Sequence, residues 1–122
     1  MKPTDAELEI LQVLWQKGPC TVRQVHDELM QNREIGYTTA LKLMQIMHEK
    51  GLLSRAEDNR SHTYSANITE EDTQRTLVDR LVETAFRGSA SKLVMQALGQ
   101  GKASREELDE IRQLLNQINP DA

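Results

Sequence analysis

The sequence predicts a mainly α-helical protein in two parts, residues 1–68 and residues 69–122. Three observations support this fold class. Apolar residues recur at the three- and four-residue spacing of helices over most of the chain. One short stretch after Gly51 changes to the alternation that is typical of paired strands. Aromatic residues make up only 3% of the chain, so its core must be aliphatic, which suits helices.

Two helices are predicted within residues 4–35, and each has a clear start signal. Thr4 is a suitable N-cap and Glu7 follows three residues later, which together form a capping box. The sequence Lys17-Gly18-Pro19 ends this helix, and Thr21 caps the next one. The inward-facing stripes are Leu8, Leu11, Leu14 and Trp15 in the first helix and Val22, Val25, Leu29 and Met30 in the second.

A third helix is predicted over residues 36–51, capped by Thr38 or Thr39 and ended by Gly51 in a left-handed turn. Its two faces differ in chemistry. The inward face is predicted to carry Ala40, Leu43, Met44 and Met47. The outward face carries Thr38, Lys42, Gln45 and Glu49, with Tyr37 beside them.

The outward face offers hydrogen-bond donors, acceptors and a cation, which suit phosphates and base edges in a DNA major groove. The alternative is an ordinary solvated face of an amphipathic helix. Tyr37 has two interpretations: it positions the helix through its hydroxyl group, or it is a core aromatic residue with its hydroxyl at the surface.

A β-hairpin is predicted directly after the third helix. Residues 52–56 and 62–66 are rich in strand-forming residues, and the polar segment 57–61 between them has the composition of a turn. Three helices followed by a hairpin are the layout of a winged helix-turn-helix domain. The third helix then enters the major groove, and the wing, tipped by Asn59 and Arg60, lies along the DNA backbone.

Three further helices are predicted in residues 69–122, with capping signals at Thr69 and Ser104. Together they carry more apolar surface than they can hide from water. We therefore predict a dimerisation region that pairs with a second copy of the chain, the alternative being a bundle packed on the chain's own N-terminal domain. The predicted dimerisation residues are Leu77, Leu81, Phe86, Leu93, Leu98, Leu108, Ile111 and Leu115.

Charge and composition exclude several classes of protein. The formal net charge is −4, and residues 33–62 carry a net charge of only +1, so we expect weaker DNA binding with a shallower salt dependence than in strongly basic domains. With Cys20 alone, no intrachain disulfide forms. The sequence has no signal peptide and no membrane span, so we expect a cytoplasmic protein. It has no metal-ligand cluster, phosphate loop or catalytic triad, which predicts neither an enzyme nor a cofactor.

Five segments carry a resemblance to a known family: residues 7–15, 22–25 and 37–52, the hairpin ending in Tyr64, and residues 86–94. In this order and spacing they resemble the BlaI/MecI/CopY family, the penicillinase-repressor type of bacterial winged-helix regulator. The resemblance implies a homodimeric repressor that binds double-stranded DNA at an operator dyad. In the family, the start of the third helix touches DNA, and here those positions are Tyr37, Thr38, Thr39 and Lys42, with Gln45 one turn further on.

The sequence departs from two branches of that family in how DNA is released. The copper-responsive branch ends in a cysteine cluster, which is missing here. The penicillinase branch is cut at an Asn-Phe bond by a membrane sensor metalloprotease, and the aligned bond here is Gln96-Ala97.

Two other functions remain open: a winged-helix adaptor that binds protein without sequence-specific DNA binding, and a regulator that answers to a small molecule.

Overall fold

The computed structural model describes residues 2–58 and 61–119. Three helices, α1 (Asp5–Lys17), α2 (Val22–Leu29) and α3 (Tyr37–Glu49), precede the hairpin of β1 (Leu53–Asp58) and β2 (Ser61–Ala66). Three more helices follow: α4 (Glu70–Ala85), α5 (Ala90–Gly99) and α6 (Arg105–Ile118). This order confirms the predicted fold class.

The helix caps agree with the sequence signals in α1 and α2 and differ in α3. Thr4 and Glu7 form the predicted capping box at α1, while Thr21 forms another with Gln24 at α2. The prediction that Thr38 or Thr39 caps α3 was wrong. The cap residue is Gly36, which provides no side-chain hydrogen bond. Both threonines are already helical and lie in the first turn.

The hairpin is antiparallel, with Leu53 opposite Ala66 and Arg55 opposite Tyr64. A short bridge extends it, because Cys20 and Tyr64 exchange backbone hydrogen bonds of 3.0 and 2.8 Å. The chain between α1 and α2 is therefore tied to the sheet. The indole Nε1 of Trp15 also donates to the carbonyl oxygen of Ile68 at 3.0 Å, which ties α1 to the chain beyond the hairpin.

The hydrophobic core lies between α1, α2, α3 and the hairpin. Of the residues predicted to face inward on α3, Ala40, Met44 and Met47 are fully buried, and Leu43 is only partly buried. Cys20 is buried beside them, and burial raises the pKa of its thiol. The largest fully buried hydrophobic side chains contributed by the other elements are Ile10, Leu11, Val25, Leu53 and Tyr64.

The chain divides into two compact units, the first ending at Leu77 and the second beginning at Val78, so the division falls within α4. The predicted domain boundary between residues 68 and 69 lies just before that helix. Among the described side chains of α4, α5 and α6, only Thr73 is buried. No helix in the described part of the chain is long and apolar enough to cross a membrane.

Candidate nucleic-acid interface

The outward face of α3 is open to solvent. Tyr37 is 43% exposed, and Thr38, Thr39, Lys42 and Gln45 are all exposed as well. The helical period places Thr38, Thr39, Lys42 and Gln45 away from the buried Ala40–Met44–Met47 face, whereas Tyr37 lies at the edge of that face, one turn before Ala40. Five of the six predicted DNA-binding residues are therefore exposed on α3, and the sixth, Arg60, lies outside the described residues together with Asn59.

Tyr37 is not a core residue, but its ring is held by two side chains of α2. The His26 and Tyr37 rings meet edge to face at 5.7 Å with an interplanar angle of 82°. The Arg23 guanidinium carbon lies 5.9 Å from the centroid of the Tyr37 ring, within cation–π range. His26 is itself fixed because its Nε2 lies 2.7 Å from the carbonyl oxygen of Ile35. A carbonyl only accepts, so this nitrogen carries the proton.

A cleft of about 440 Å³ lies between α2, α3 and the hairpin. Arg23 lines it from α2, Tyr37 and Gln45 from α3, and Arg55 from β1. The sheet register explains Arg55, because residues that face each other across an antiparallel pair project to the same side. Its partner is the buried Tyr64, so Arg55 lies on the side of the hairpin that faces the helices.

Sequence reasoning missed Arg23 and Arg55 as site residues. The alternation in β1, which places Arg55 on the same face as Leu53, was a usable signal for that residue. No sequence signal indicated Arg23, because its position depends on a contact with Tyr37, which is 14 residues away on another helix.

The cations of the N-terminal unit fall into two groups. Several are neutralised by carboxylates: Lys17 pairs with Glu28, Arg33 with Glu9, Lys50 with Glu7, and Arg75 with Glu71 and Asp72. By contrast, none of the ion pairs within residues 2–58 and 61–119 involves Arg23, Lys42 or Arg55. Apart from Lys2 near the N-terminus, the described cations of this unit without an ion pair are Arg23, Lys42 and Arg55, which lie on α2, α3 and β1, the elements that form the exposed face and its cleft.

The C-terminal end of α3 is anchored to α1. Lys50 follows α3, and its Nζ lies 2.8 Å from Oε2 of Glu7, while Oε1 of Glu7 accepts a hydrogen bond from the Thr4 backbone at 2.9 Å. The Glu7 side chain is only 3% exposed. This pair holds the end of α3 that lies away from Tyr37, and so helps to orient the exposed face.

None of the predicted dimerisation residues is buried within the chain. Leu81 is 47% exposed, Leu108 is 41% exposed and Leu115 is 60% exposed. The other five are partly buried: Leu77, Phe86, Leu93, Leu98 and Ile111. The sequence prediction omitted further exposed apolar residues in this part of the chain, namely Val78, Val94, Met95, Leu114 and Ile118.

Gln96 and Ala97 lie within α5, and both are exposed. The bond between them is therefore in a helical conformation. Cleavage at or near this bond stays a prediction, and the family's Asn-Phe bond itself is not carried over to Gln96-Ala97. In the part of the chain that the structure describes, no group of three His, Cys, Asp or Glu side chains is placed to hold a metal ion.

The sequence profile of the family described as penicillinase repressor matches residues 3–117. The methicillin resistance regulatory protein MecI of Mammaliicoccus sciuri is 23% identical over 113 residues, which cover 93% of this chain and 92% of that protein. The transcriptional regulator BlaI of Mycobacterium tuberculosis is 28% identical over 116 residues, which cover 93% of this chain and 83% of that protein.

Among solved structures, the monomeric form of BlaI from Bacillus licheniformis in complex with the blaP half-operator matches with a TM-score of 0.52 and 28% identity. The match covers 59% of this chain and 88% of that one. The relatives and the solved neighbour are thus regulators, one of them bound to operator DNA. Because the family profile spans nearly the whole sequence, this chain belongs to the penicillinase repressor family.

Proposed function

We propose that this protein is a sequence-specific transcriptional repressor that binds an operator dyad as a homodimer. In this proposal α3 lies in the major groove and the hairpin lies along the DNA backbone. The observation that carries it is the exposed surface of α3, where Tyr37, Thr38, Thr39, Lys42 and Gln45 are open to solvent. The chain also belongs to a family of repressors. The target implies a cytoplasmic protein without catalytic activity.

Four side chains of α3, and one on the wing, have proposed roles that follow from their chemistry. Thr38 and Thr39 contact phosphates or a thymine methyl group, and Lys42 contacts a phosphate or the acceptor edge of guanine. Gln45 pairs with the N6 and N7 atoms of adenine through its amide group. Arg60, on the wing, holds the DNA backbone.

The homodimer is supported by the apolar side chains that the single chain leaves exposed on α4, α5 and α6. On α6, residues 108, 111, 115 and 118 are apolar and follow each other at alternating spacings of three and four, which places them on one face. A second copy that covers this face gives the assembly two-fold symmetry. Its two recognition helices then read half-sites roughly 34 Å apart or a multiple of that distance.

The direct test of the proposed function is enrichment of binding sites from random duplex DNA, followed by titration of the selected site. We expect a selected sequence with two-fold symmetry. Lys42→Ala is expected to weaken binding about tenfold, as is typical for the loss of one charged contact. Lys102→Ala is the matched control, because it removes the same charge from an exposed residue between α5 and α6.

Arg60→Ala is expected to lower the salt dependence of binding, because one backbone contact is lost. If no sequence is selected and the affinity for random DNA disappears at modest salt concentration, the repressor proposal fails. That outcome would favour the protein-binding adaptor.

A further inference from the structure

We propose that Arg23 and Arg55 form a two-arginine clamp for one DNA backbone phosphate, and that the ring of Tyr37 is the positioning residue that holds Arg23 in place. The proposal rests on the proposed function, since it assumes that α3 lies against DNA. It gives the cleft between α2, α3 and the hairpin a ligand, the phosphodiester group. It also moves the role of Tyr37 from its hydroxyl group to its ring.

Arg23 is held in place by contacts that connect α2 with α3. Its guanidinium lies 5.9 Å from the centre of the Tyr37 ring, and the edge-to-face contact between Tyr37 and His26 restricts the ring. The hydrogen bond from His26 Nε2 to the Ile35 carbonyl oxygen in turn fixes the His26 ring. A stacked guanidinium loses less conformational freedom on binding than a free one, and its N–H donors remain available at its edge.

Arg55 reaches the same cleft from the hairpin. The register that pairs Arg55 with the buried Tyr64 fixes the face on which Arg55 lies. The two arginines therefore come from different elements, one from α2 and one from β1, and both line a single space of about 440 Å³. This volume is ample for a phosphate group.

The charge of the two arginines is not neutralised at the cleft. Among the described residues that line the cleft, none carries a carboxylate. The nearby Glu57 is directed to His62, with 3.8 Å between its Oε1 and the imidazole Nδ1. No described carboxylate forms an ion pair with Arg23 or Arg55. In a protein with a net charge of −4, two unneutralised arginines at one cleft indicate an anionic ligand.

The experiment measures affinity for the selected operator and for random duplex DNA over a range of salt concentrations. We expect Arg23→Gln and Arg55→Gln each to weaken binding about tenfold on both DNAs, with the base preference unchanged. Each variant should also reduce the slope of log K against log salt, and the two changes combined should reduce it by about 0.9, which is the value for one neutralised phosphate. Both residues are exposed, so the variants are expected to fold normally.

Arg75→Gln is the matched control, because it makes the same charge change at an exposed residue of α4 that pairs with Glu71 and Asp72. We expect it to leave the affinity and the salt slope unchanged. If all three variants lost the same affinity, the loss would be explained by the change in net charge alone, and the clamp would be overturned. Loss of base preference in Arg23→Gln or Arg55→Gln would also overturn it.

The role of Tyr37 is tested by comparing Tyr37→Phe with Tyr37→Leu. Tyr37→Phe keeps the ring and is expected to bind as the wild type does, whereas Tyr37→Leu should lose nearly as much affinity as Arg23→Gln. Combining Tyr37→Leu with Arg23→Gln should cost little more than either change alone, since both remove the same contact. Equal losses in Tyr37→Phe and Tyr37→Leu would assign the role to the hydroxyl group and overturn the positioning role.

The two proposals fail separately. If the wild-type protein selects no operator, the proposed function is wrong. If it selects an operator and the arginine variants bind like Arg75→Gln, only the clamp is wrong.

Discussion

Glu7 is a buried carboxylate that the fold keeps in its charged form. Burial by itself raises the pKa of a carboxyl group, but the hydrogen bond from Lys50, the Thr4 backbone and the charge of Lys50 outweigh it. The pKa of Glu7 therefore lies below its ordinary value of 4.5. Because the folded pKa is lowered, the stabilisation is complete above pH 4.5 and is lost as the pH falls through the folded value.

This linkage gives a prediction for stability. Between pH 5 and pH 3, urea unfolding should show a larger loss of unfolding free energy in the wild type than in Glu7→Gln, which has no carboxyl group to protonate. At pH 7, Lys50→Met should cost about 1–3 kcal/mol, because it leaves the Glu7 charge buried without its partner. In that variant the hydrogen bond and the charge of Lys50 no longer lower the pKa of Glu7, so this pKa lies above that of the wild type and the deficit should shrink as the pH falls. A deficit in Lys50→Met that is independent of pH would contradict this explanation.

At the residue scale, the sequence could predict contacts within one helix but not contacts between elements. The helical period was sufficient to place Thr38, Lys42 and Gln45 on a common face. The pair between Glu7 and Lys50 spans 43 residues, so no local pattern indicated it. The same limit explains why Arg23 was missed, since its contact with Tyr37 exists only once α2 and α3 are packed.

At the scale of the element, α3 begins differently from α1 and α2. Those two helices carry a threonine cap with Glu7 or Gln24 as its partner, and both patterns are local in sequence. Gly36 has no side chain that could signal a cap. The nearest threonines were therefore predicted as the cap, which lies two or three residues before them. The same signals succeed where a polar cap side chain is present.

The uncapped start of α3 gives a prediction that separates stability from binding. Gly36 has φ −71° and ψ 150°, and an added Cβ would meet only the Thr39 hydroxyl oxygen at 3.9 Å, so a polar side chain fits. Gly36→Asn and Gly36→Asp should each raise the unfolding free energy by a few tenths of a kcal/mol. Only Gly36→Asp should weaken DNA binding, about tenfold, because it places a carboxylate beside the proposed DNA-binding face.

The two variants are nearly identical in shape, so the comparison isolates charge. Thermal unfolding and operator titration would be measured on the same samples. If Gly36→Asn weakened DNA binding as much as Gly36→Asp, the cause would be the added bulk, and α3 would approach its ligand through the backbone at Gly36.

At the scale of the whole molecule, the arrangement of charge matters more than its total. The net charge of −4 and the window of +1 predicted only a mildly positive DNA-binding face. Composition could not show that carboxylates neutralise Lys17, Arg33 and Lys50, whereas Arg23 and Arg55 have no such pairing among the described residues. Pairing depends on the folded arrangement, so the sequence could set the expected strength of binding but not which cations remain without a carboxylate partner.

The last prediction concerns the assembly of two chains. Leu115 is 60% exposed on α6, so Leu115→Glu should cost little in the single chain but would place a carboxylate in the proposed dimer interface. We expect it to weaken dimerisation roughly a hundredfold. Gln113→Glu is the control, because it makes the same charge change about 200° around the same helix, away from Leu115 and Ile111.

Sedimentation at micromolar concentration distinguishes the outcomes. The wild type and Gln113→Glu should sediment at twice the 13.9 kDa of one chain, and Leu115→Glu should sediment at the mass of one chain. Leu115→Glu should also lose affinity for the full dyad while keeping its affinity for a single half-site, because each head still carries a complete α3 and cleft. A wild-type protein that sediments at the mass of one chain would remove the basis for reading two half-sites at once.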